Sequence, residues 1–290
     1  MKLTHGLFMA LTIFIGLAAC VHNVENEQIS QNDYDRLTVY TSFHAMYDFT
    51  RAIAGDSLNV AILLPPGSGA HHWEPSVQDI VRLAGAEAFI YHGAGMEHFV
   101  DTLKASLGRE LLFIEASADV EAKKSQSDPH LWLNPMYVLQ MKETIKYALI
   151  EIDPLNSIVF EENFNNSARR LQELDDAFRA ASANFSRRDI VVSHGAFGHL
   201  SYAYNLNQVA IEGIMVHTDP SPARIVEIIN FVKDNGVTTI FFDKDPSLAE
   251  AIAANTGTKI AMLDTFEGIT TDDYFSVMWR NLDVLKEALR

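Results

Sequence analysis

The sequence predicts an α/β protein of two lobes, and three observations lead to that prediction. Short apolar runs alternate along the chain with segments whose apolar residues recur every three or four positions. Alternation of this kind is typical of mainly parallel sheets with helices on their faces. The pattern occurs twice, on either side of a long charged segment with a helical stripe at residues 153–186. The chain is therefore expected to form two α/β lobes joined by one long, rigid helix.

The first 36 residues are expected to lie outside the lobes. Residues 1–19 have an early lysine and an apolar run too short to span a bilayer comfortably, which is the layout of a secretory signal peptide. The stretch "LAAC" ends at Cys20 and resembles the lipobox of bacterial lipoproteins, whose cysteine is lipidated. The alternative is a plain signal peptide or membrane anchor with an incidental cysteine. Residues 20–36 are polar and aperiodic, which indicates a flexible tether.

Residues 37–152 are predicted to form the N-terminal lobe. Its strand candidates are apolar runs at residues 37–40, 60–64, 88–91 and 111–114. A helix between two of them is indicated by apolar residues spaced i, i+3, i+4 and i+7. These residues are Val77, Ile80, Val81 and Ala84.

The connector and the C-terminal lobe follow. Residues 153–186 contain Pro154 near the start and no later proline or glycine, which predicts a helix of about 30 residues, roughly 45 Å long. Two helices with a break near Asn165 and Asn166 are the alternative. Residues 187–290 repeat the alternation and are predicted to form the second lobe. Its strand candidates are residues 190–192, 208–211, 239–242 and 260–263.

Composition excludes several functional classes. The chain is 48% hydrophobic, enough to supply the cores of two medium domains, and its formal net charge is −16. Such an acidic surface argues against nucleic-acid binding. Because Cys20 is the only cysteine, the lobes contain neither a disulfide framework nor a thiol nucleophile. There is no Gly-x-Ser-x-Gly motif of a serine hydrolase either.

Histidines and a carboxylate follow the strand candidates. His71 lies in "LLPPGSGAHHWEPS", His130 in "DPHLWLNP", His194 just after "DIVVS", and Glu267 shortly after "KIAML". Loops beyond the carboxyl ends of parallel strands can converge on one ligand site. Three imidazoles and one carboxylate suit a tetrahedral zinc shell. The spacing matches no compact metal motif, so for each histidine a ligand role and a structural role fit about equally at this point.

The remaining histidines are expected to have ordinary roles. His92 and His98 flank "GAGME" and are predicted to be surface or capping residues. His199 belongs to an amphipathic helix and is predicted to be a packing or surface residue. His217 precedes a helix cap, which favours a structural role.

Five motifs together carry a family resemblance. They are "TSFHAMYDFTRAIAGD", "LLPPGSGAHHWEPS", "YHGAGMEHFV", "DPHLWLNP" and "SHGAFGHLSYAYNL". From residue 37 to the C-terminus, the chain resembles the zinc/manganese solute-binding lipoproteins of bacterial ABC importers, and in particular their zinc-specific branch. The resemblance implies two Rossmann-like lobes with mainly parallel sheets, a rigid linking helix and a metal in the interlobe cleft.

The same resemblance implies the ligands. It identifies His71, His130 and His194 as metal ligands, with Glu267 a better fourth ligand than Asp264 or water. Manganese-binding relatives often have glutamate at the third position, so His194 favours Zn²⁺ as the cargo and leaves Mn²⁺ as the alternative.

Two further features of the motifs bear on the site. Glu74 or Asp128 is expected either to orient an imidazole from the second shell or to serve only turns and caps. The stretch "ADVEAKKSQSDPH" has no histidine before His130, so no metal-scavenging loop is predicted.

The function implied is that of a non-catalytic, monomeric extracytoplasmic receptor. It would be anchored to the membrane through lipidated Cys20 and would deliver Zn²⁺ to an ABC permease driven by a cytoplasmic ATPase. A secreted zinc hydrolase is the runner-up. His71 and Glu74 form a superficial His-x-x-Glu, but Pro75 follows and no histidine completes a protease motif. An adhesin or purely structural lipoprotein is the third class, and it would not need the histidines.

Overall fold

The computed structural model describes residues 36–108, 111–124, 128–214 and 220–290, and these form two four-stranded sheets. The first sheet has the order β2-β1-β3-β4 and the second has the order β6-β5-β7-β8. The first contains β1 Thr38–Thr41, β2 Asn59–Ile62, β3 Ala88–Tyr91 and β4 Leu112–Glu115. The second contains β5 Asp189–Val192, β6 Asn207–Ala210, β7 Thr239–Phe242 and β8 Lys259–Met262. The predicted α/β fold with two lobes is confirmed.

Every pair of neighbouring strands is parallel. In the first sheet Val39 is aligned with Val60 on one side and Ala88 on the other, and in the second Val191 is aligned with Val209 and Ile240. Parallel strands covered by helices on both faces are expected to be apolar throughout. The carboxyl ends of the strands in each sheet lie at one edge, where ligand sites of α/β sheets form.

Helices connect the strands and cover the sheets. The first four are α1 His44–Ala54, α2 Val77–Ala84, α3 Val100–Leu107 and α4 Pro135–Ile152. The others are α5 Ser157–Ser182, α6 Gly198–Ala203, α7 Pro222–Asp234, α8 Ser247–Thr256 and α9 Tyr274–Leu289. Within the described parts of the chain, none of these helices has both the length and the apolar character needed to cross a membrane.

The connection between the sheets contains one long helix, α5. It has 26 residues and is therefore about 39 Å long. It continues through Asn165 and Asn166, so the alternative of two helices with a break there is wrong. The helix starts at Ser157 rather than at residue 153, because Pro154 begins a separate 3₁₀ turn, Pro154–Asn156.

One apolar core extends through both lobes. It joins Val39 of the first sheet, Ile190 of the second, Phe160 and Leu171 of α5, and Leu285 of α9. Each lobe has a second, smaller core on its outer side, represented by Phe89 in the first lobe and Ile240 in the second. Since a large apolar contact opposes relative movement of domains, the shared core favours a fixed arrangement of the lobes.

Candidate metal centre

Four loops bring their polar side chains together between the sheets. His71 lies in the loop after β2, His130 in the loop after β4, His194 just after β5 and Glu267 in the loop after β8. All four residues are buried, and one donor atom from each lies within 4.8 Å of the others. The first two residues precede α5 and the other two follow it, so each lobe supplies half of the cluster.

The spacing of the donor atoms fits a small tetrahedral ion. His71 Nε2 lies 3.2 Å from His130 Nε2, and Glu267 Oε1 lies 3.6 Å from the first and 3.4 Å from the second. His194 Nδ1 lies 3.8 Å from Glu267 Oε1. Zinc bonds to nitrogen and oxygen of roughly 2.0–2.2 Å give a tetrahedron with edges of about 3.3–3.6 Å. The distances among the His71, His130 and Glu267 donors are close to these edges, and the His194 donor lies slightly farther out.

The Asp128 carboxylate orients His130. Asp128 Oδ1 accepts hydrogen bonds from the His130 backbone N–H at 3.0 Å and from ring Nδ1 at 2.7 Å. The remaining ring nitrogen, Nε2, faces the cluster. In zinc sites, carboxylates that accept a hydrogen bond from a ligand histidine fix the orientation of its ring in the same way. Burial alone would raise the pKa of Asp128, but the contacts with His130 outweigh burial and lower it. Burial likewise opposes the charged form of His130, yet Asp128 and Glu267 raise the pKa of its ring.

His194 is oriented by a backbone carbonyl. Its Nε2 lies 2.9 Å from the Ile214 carbonyl oxygen, which only accepts, so Nε2 carries the hydrogen and Nδ1 faces the cluster. Asp243, directly after β7, lies 3.7 Å from that Nδ1. Burial would raise the pKa of Asp243, but His194 outweighs burial and lowers it. Sequence reasoning missed Asp243, although its position after a strand was the signal used for the four donors.

Glu267 presents a buried oxygen that the described protein groups do not satisfy. Its side chain is 5% exposed, and among the described residues no group makes a hydrogen bond to Oε1. Buried polar atoms are normally paired, so such an orphan next to three imidazoles indicates a cation site. Burial would raise the pKa of the Glu267 carboxyl, but His130 and His71 hold it well below its ordinary range. Lys244 Nζ lies 3.7 Å from the other oxygen, Oε2.

Asp264, the other candidate for the fourth donor, supports the loop instead. Its Oδ1 accepts a hydrogen bond from the Phe266 backbone N–H at 2.8 Å, and its Oδ2 lies 3.8 Å from Arg280. Its own backbone N–H donates to Asn281. These contacts brace the loop after β8 and leave Glu267, not Asp264, in the cluster.

His71 borders the opening of the site. A cleft of about 390 Å³ is lined by His71, His194 and Glu267 together with His72 and Lys244. Burial lowers the pKa of the His71 ring, and Glu267, which raises it, only partly compensates. The neutral form that binds metal is therefore favoured at this ring.

Other residues selected from the sequence lie elsewhere. Glu74 is exposed, and no hydrogen bond or ion pair links it to a histidine in the part of the chain that the structure describes. His98 is exposed as expected. His92 is fully buried, so the expectation of a surface position is wrong, whereas His199 is buried in accord with a packing position. Cys20 and His217 lie outside the described residues.

Two parallel-sheet lobes joined by a long helix, with donors from both lobes meeting between them, define the class of two-lobed solute-binding proteins. The comparisons agree. The chain belongs to the ZnuA family, described as zinc-uptake complex component A, periplasmic, whose pattern it matches over residues 39–288.

Individual relatives agree with that assignment. The chain is 29% identical to the high-affinity zinc uptake system protein ZnuA of Bacillus subtilis, over 98% of this chain and 97% of that protein. It is 31% identical to the zinc-binding lipoprotein AdcA of Streptococcus pneumoniae, over 98% of this chain and 60% of AdcA. The crystal structure of the Zn(II)-bound ZnuA-like domain of that AdcA superposes with a TM-score of 0.77 at 30% identity, covering 88% of this chain and 99% of that domain.

Proposed function

We propose that the protein is a receptor that binds one Zn²⁺ ion between its lobes and delivers it to an ABC permease for high-affinity uptake. The observation that carries this proposal is the buried cluster of His71, His130, His194 and Glu267, whose donor atoms all lie within 4.8 Å of one another. The relatives named as zinc-uptake and zinc-binding proteins support the same cargo.

The donor set favours zinc over manganese. Three imidazole nitrogens and one carboxylate oxygen match the ligands of four-coordinate zinc, whereas manganese prefers more oxygen donors and a higher coordination number. Zinc would also satisfy the buried Glu267 Oε1. Three neutral imidazoles and one carboxylate carry a net charge of −1, so these four ligands and a bound Zn²⁺ together would carry +1.

A catalytic role finds less support at this site. A zinc hydrolase needs an open coordination position for water and a positioned base. Here the Glu267 carboxylate would fill the fourth position, which water takes in a zinc enzyme, and Glu74 is exposed rather than placed beside the cluster. The site therefore suits capture and release of the metal, with no reaction.

The route of the metal completes the proposal. Lipidated Cys20 would anchor the mature, monomeric chain at the extracytoplasmic face of the membrane, next to the permease that a cytoplasmic ATPase drives. Family membership in a zinc-uptake complex supports this partnership. The acidic chain, with a formal charge of −16, is suited to attracting cations.

Zinc uptake by cells tests this function. A strain lacking the gene is complemented with the wild type, with His194→Ala or with Cys20→Ser, and accumulation of radioactive zinc is measured under zinc limitation. The wild type is expected to restore uptake, His194→Ala to fail, and Cys20→Ser to be released from the membrane. Full uptake with His194→Ala present at the wild-type level would contradict the proposal.

A further inference from the structure

The segment that carries His130 is held from both lobes by two other histidines. His92, immediately after β3 in the first lobe, lies with Nε2 2.7 Å from the Pro129 carbonyl oxygen. His199, in α6 of the second lobe, lies with Nε2 3.0 Å from the Asp128 carbonyl oxygen. These two carbonyls belong to the two residues directly before His130.

Both contacts are well-defined hydrogen bonds. A carbonyl oxygen only accepts, so Nε2 carries the hydrogen in each ring. His92 is 0% exposed and His199 is 2% exposed, so water does not replace these bonds. A buried carbonyl that lost its partner would be costly, which gives each bond a structural consequence for the segment.

The orientation of each histidine is itself fixed. The His92 ring packs edge-on against Trp132 at 5.0 Å, and its backbone N–H donates to the half-buried Glu97 at 2.8 Å. The His199 ring packs edge-on against Tyr137 at 5.6 Å. Neither histidine belongs to the cluster of donor atoms, so each acts on the site only through the segment that it holds.

The same segment is also tied to the fourth donor. Trp132 Nε1 donates to the Thr265 carbonyl oxygen at 2.8 Å, two residues before Glu267. Tyr274 of α9 donates through its hydroxyl to the Trp132 carbonyl at 3.0 Å. The position of His130 is therefore determined by groups of both lobes, although His130 itself belongs to the first.

We propose that His92 and His199 are paired positioning residues, one from each lobe, whose Nε2–H groups hold the Pro129 and Asp128 carbonyls and thereby place His130 for metal binding. The inference rests on the proposed zinc-binding function. In this arrangement the relative position of the lobes and the geometry of the metal site depend on each other. His92 of the first lobe holds the Pro129 carbonyl, and His199 of the second lobe holds the Asp128 carbonyl.

Leucine and glutamine substitutions test the proposal. His92→Leu and His199→Leu remove the N–H donor, whereas His92→Gln and His199→Gln place an amide N–H near the position of Nε2. Zinc affinity is measured by competition with a chelator, and the visible spectrum of the Co²⁺-loaded protein reports the ligand geometry. Each leucine variant is expected to lose about ten- to hundredfold in zinc affinity and to change the cobalt bands, as outer-shell changes do. The glutamine variants are expected to regain most of both.

Two controls separate positioning from stability. Ile228→Ala creates a cavity in the outer core of the second lobe and should lower the melting temperature without altering the cobalt spectrum. His98→Leu changes an exposed histidine of the same loop as His92 and should leave both readouts unchanged.

Defined outcomes would overturn the proposal. Folded leucine variants with wild-type zinc affinity and cobalt spectra would do so while wild-type binding upheld the proposed function. Absence of zinc binding by the wild type would overturn the function and this inference together. If the leucine variants do not fold, nitrogen–proton correlation NMR of the wild-type rings decides. Nε2–H tautomers at His92 and His199 are expected, and an Nδ1–H tautomer at either would overturn the proposal.

Discussion

Replacing Asp128 with asparagine is expected to weaken zinc binding without removing a ligand. In the native site one carboxylate oxygen accepts two hydrogen bonds from His130, at 3.0 Å from the backbone and 2.7 Å from the ring. Asp128→Asn keeps an oxygen acceptor but removes the charge that orients the imidazole and makes it more basic. Hydrogen bonds to charged groups contribute about 1.5–3 kcal/mol. At about 1.4 kcal/mol per factor of ten, the expected loss in affinity is roughly ten- to hundredfold.

Competition of metal-stripped protein with a chelator near neutral pH measures this loss. Glu74→Gln is the matched control, because Glu74 is an exposed carboxylate near His71 without a described contact to a ligand histidine. The control should bind zinc like the wild type. An Asp128→Asn variant with wild-type affinity, or an equal loss in Glu74→Gln, would refute the assignment of Asp128 as the group that orients His130.

Three other changes have defined outcomes. Gly198→Ala would place a Cβ atom 2.5 Å from Asp128 Oδ2, so we expect a loss of zinc affinity similar to that of Asp128→Asn in the same competition assay. Glu267→Ala should weaken zinc binding less than His194→Ala, since water can take the vacated position, and Asp264→Ala should be milder still; a larger effect of Asp264→Ala would show that the fourth donor is misassigned. In denaturant titrations, the free energy of unfolding of the wild type should rise by about 3 kcal/mol relative to that of Lys142→Met as the pH increases from about 8 to 10.5. A difference in unfolding free energy that stays constant over this range would contradict the buried charge.

The last of these predictions follows from the surroundings of Lys142. The lysine is fully buried, with Nζ 5.2 Å from the Phe49 ring and 5.3 Å from the Phe275 ring. Burial lowers its pKa from 10.5 to about 8, with Asp48 opposing that shift. Below about pH 8 both the folded and the unfolded state carry the proton, and the folded state bears the full cost of the buried charge. Between about 8 and 10.5 only the unfolded state binds the proton, so stability rises with pH.

Hydrophobic patterning predicts the strands within one or two residues at each end. Ala88–Tyr91 and Thr239–Phe242 are found as expected, because the first run is apolar and buried throughout and the second is largely so. The strand predicted at residues 60–64 instead spans Asn59–Ile62. Patterning alone misplaces this strand, because exposed Asn59 pairs with Thr38 while buried Leu63 and Leu64 continue into the loop.

The continuity of α5 depends on contacts that the sequence does not show. Two consecutive asparagines are weak helix formers and suggest a break. In the structure, Asn163 of the same helix donates to the Ile53 carbonyl of α1 at 3.0 Å, and Phe160 and Leu171 are fully buried on either side. Tertiary packing thus outweighs the local preference of Asn165 and Asn166.

The candidate site, like the fold, could be predicted only in part from the sequence. The sequence shows that each donor follows a strand. It does not show whether that residue is a metal ligand or has a structural role, and the ligand assignment came from the family resemblance. The contacts of His92 and His199 have no local signal, since their carbonyl partners lie 37 and 71 residues away. Such pairs appear only when the fold brings the loops together.

Metal binding by stripped protein that begins just after Cys20 tests the central claim most directly. Zinc and manganese are titrated in competition with the same chelator, beside the His194→Ala variant. We expect one tightly bound zinc per chain, poor displacement by manganese, and a sharp loss of affinity in a variant that remains folded. Tight preference for manganese would contradict the choice of cargo, and unchanged zinc affinity in folded His194→Ala would contradict the assignment of the site itself.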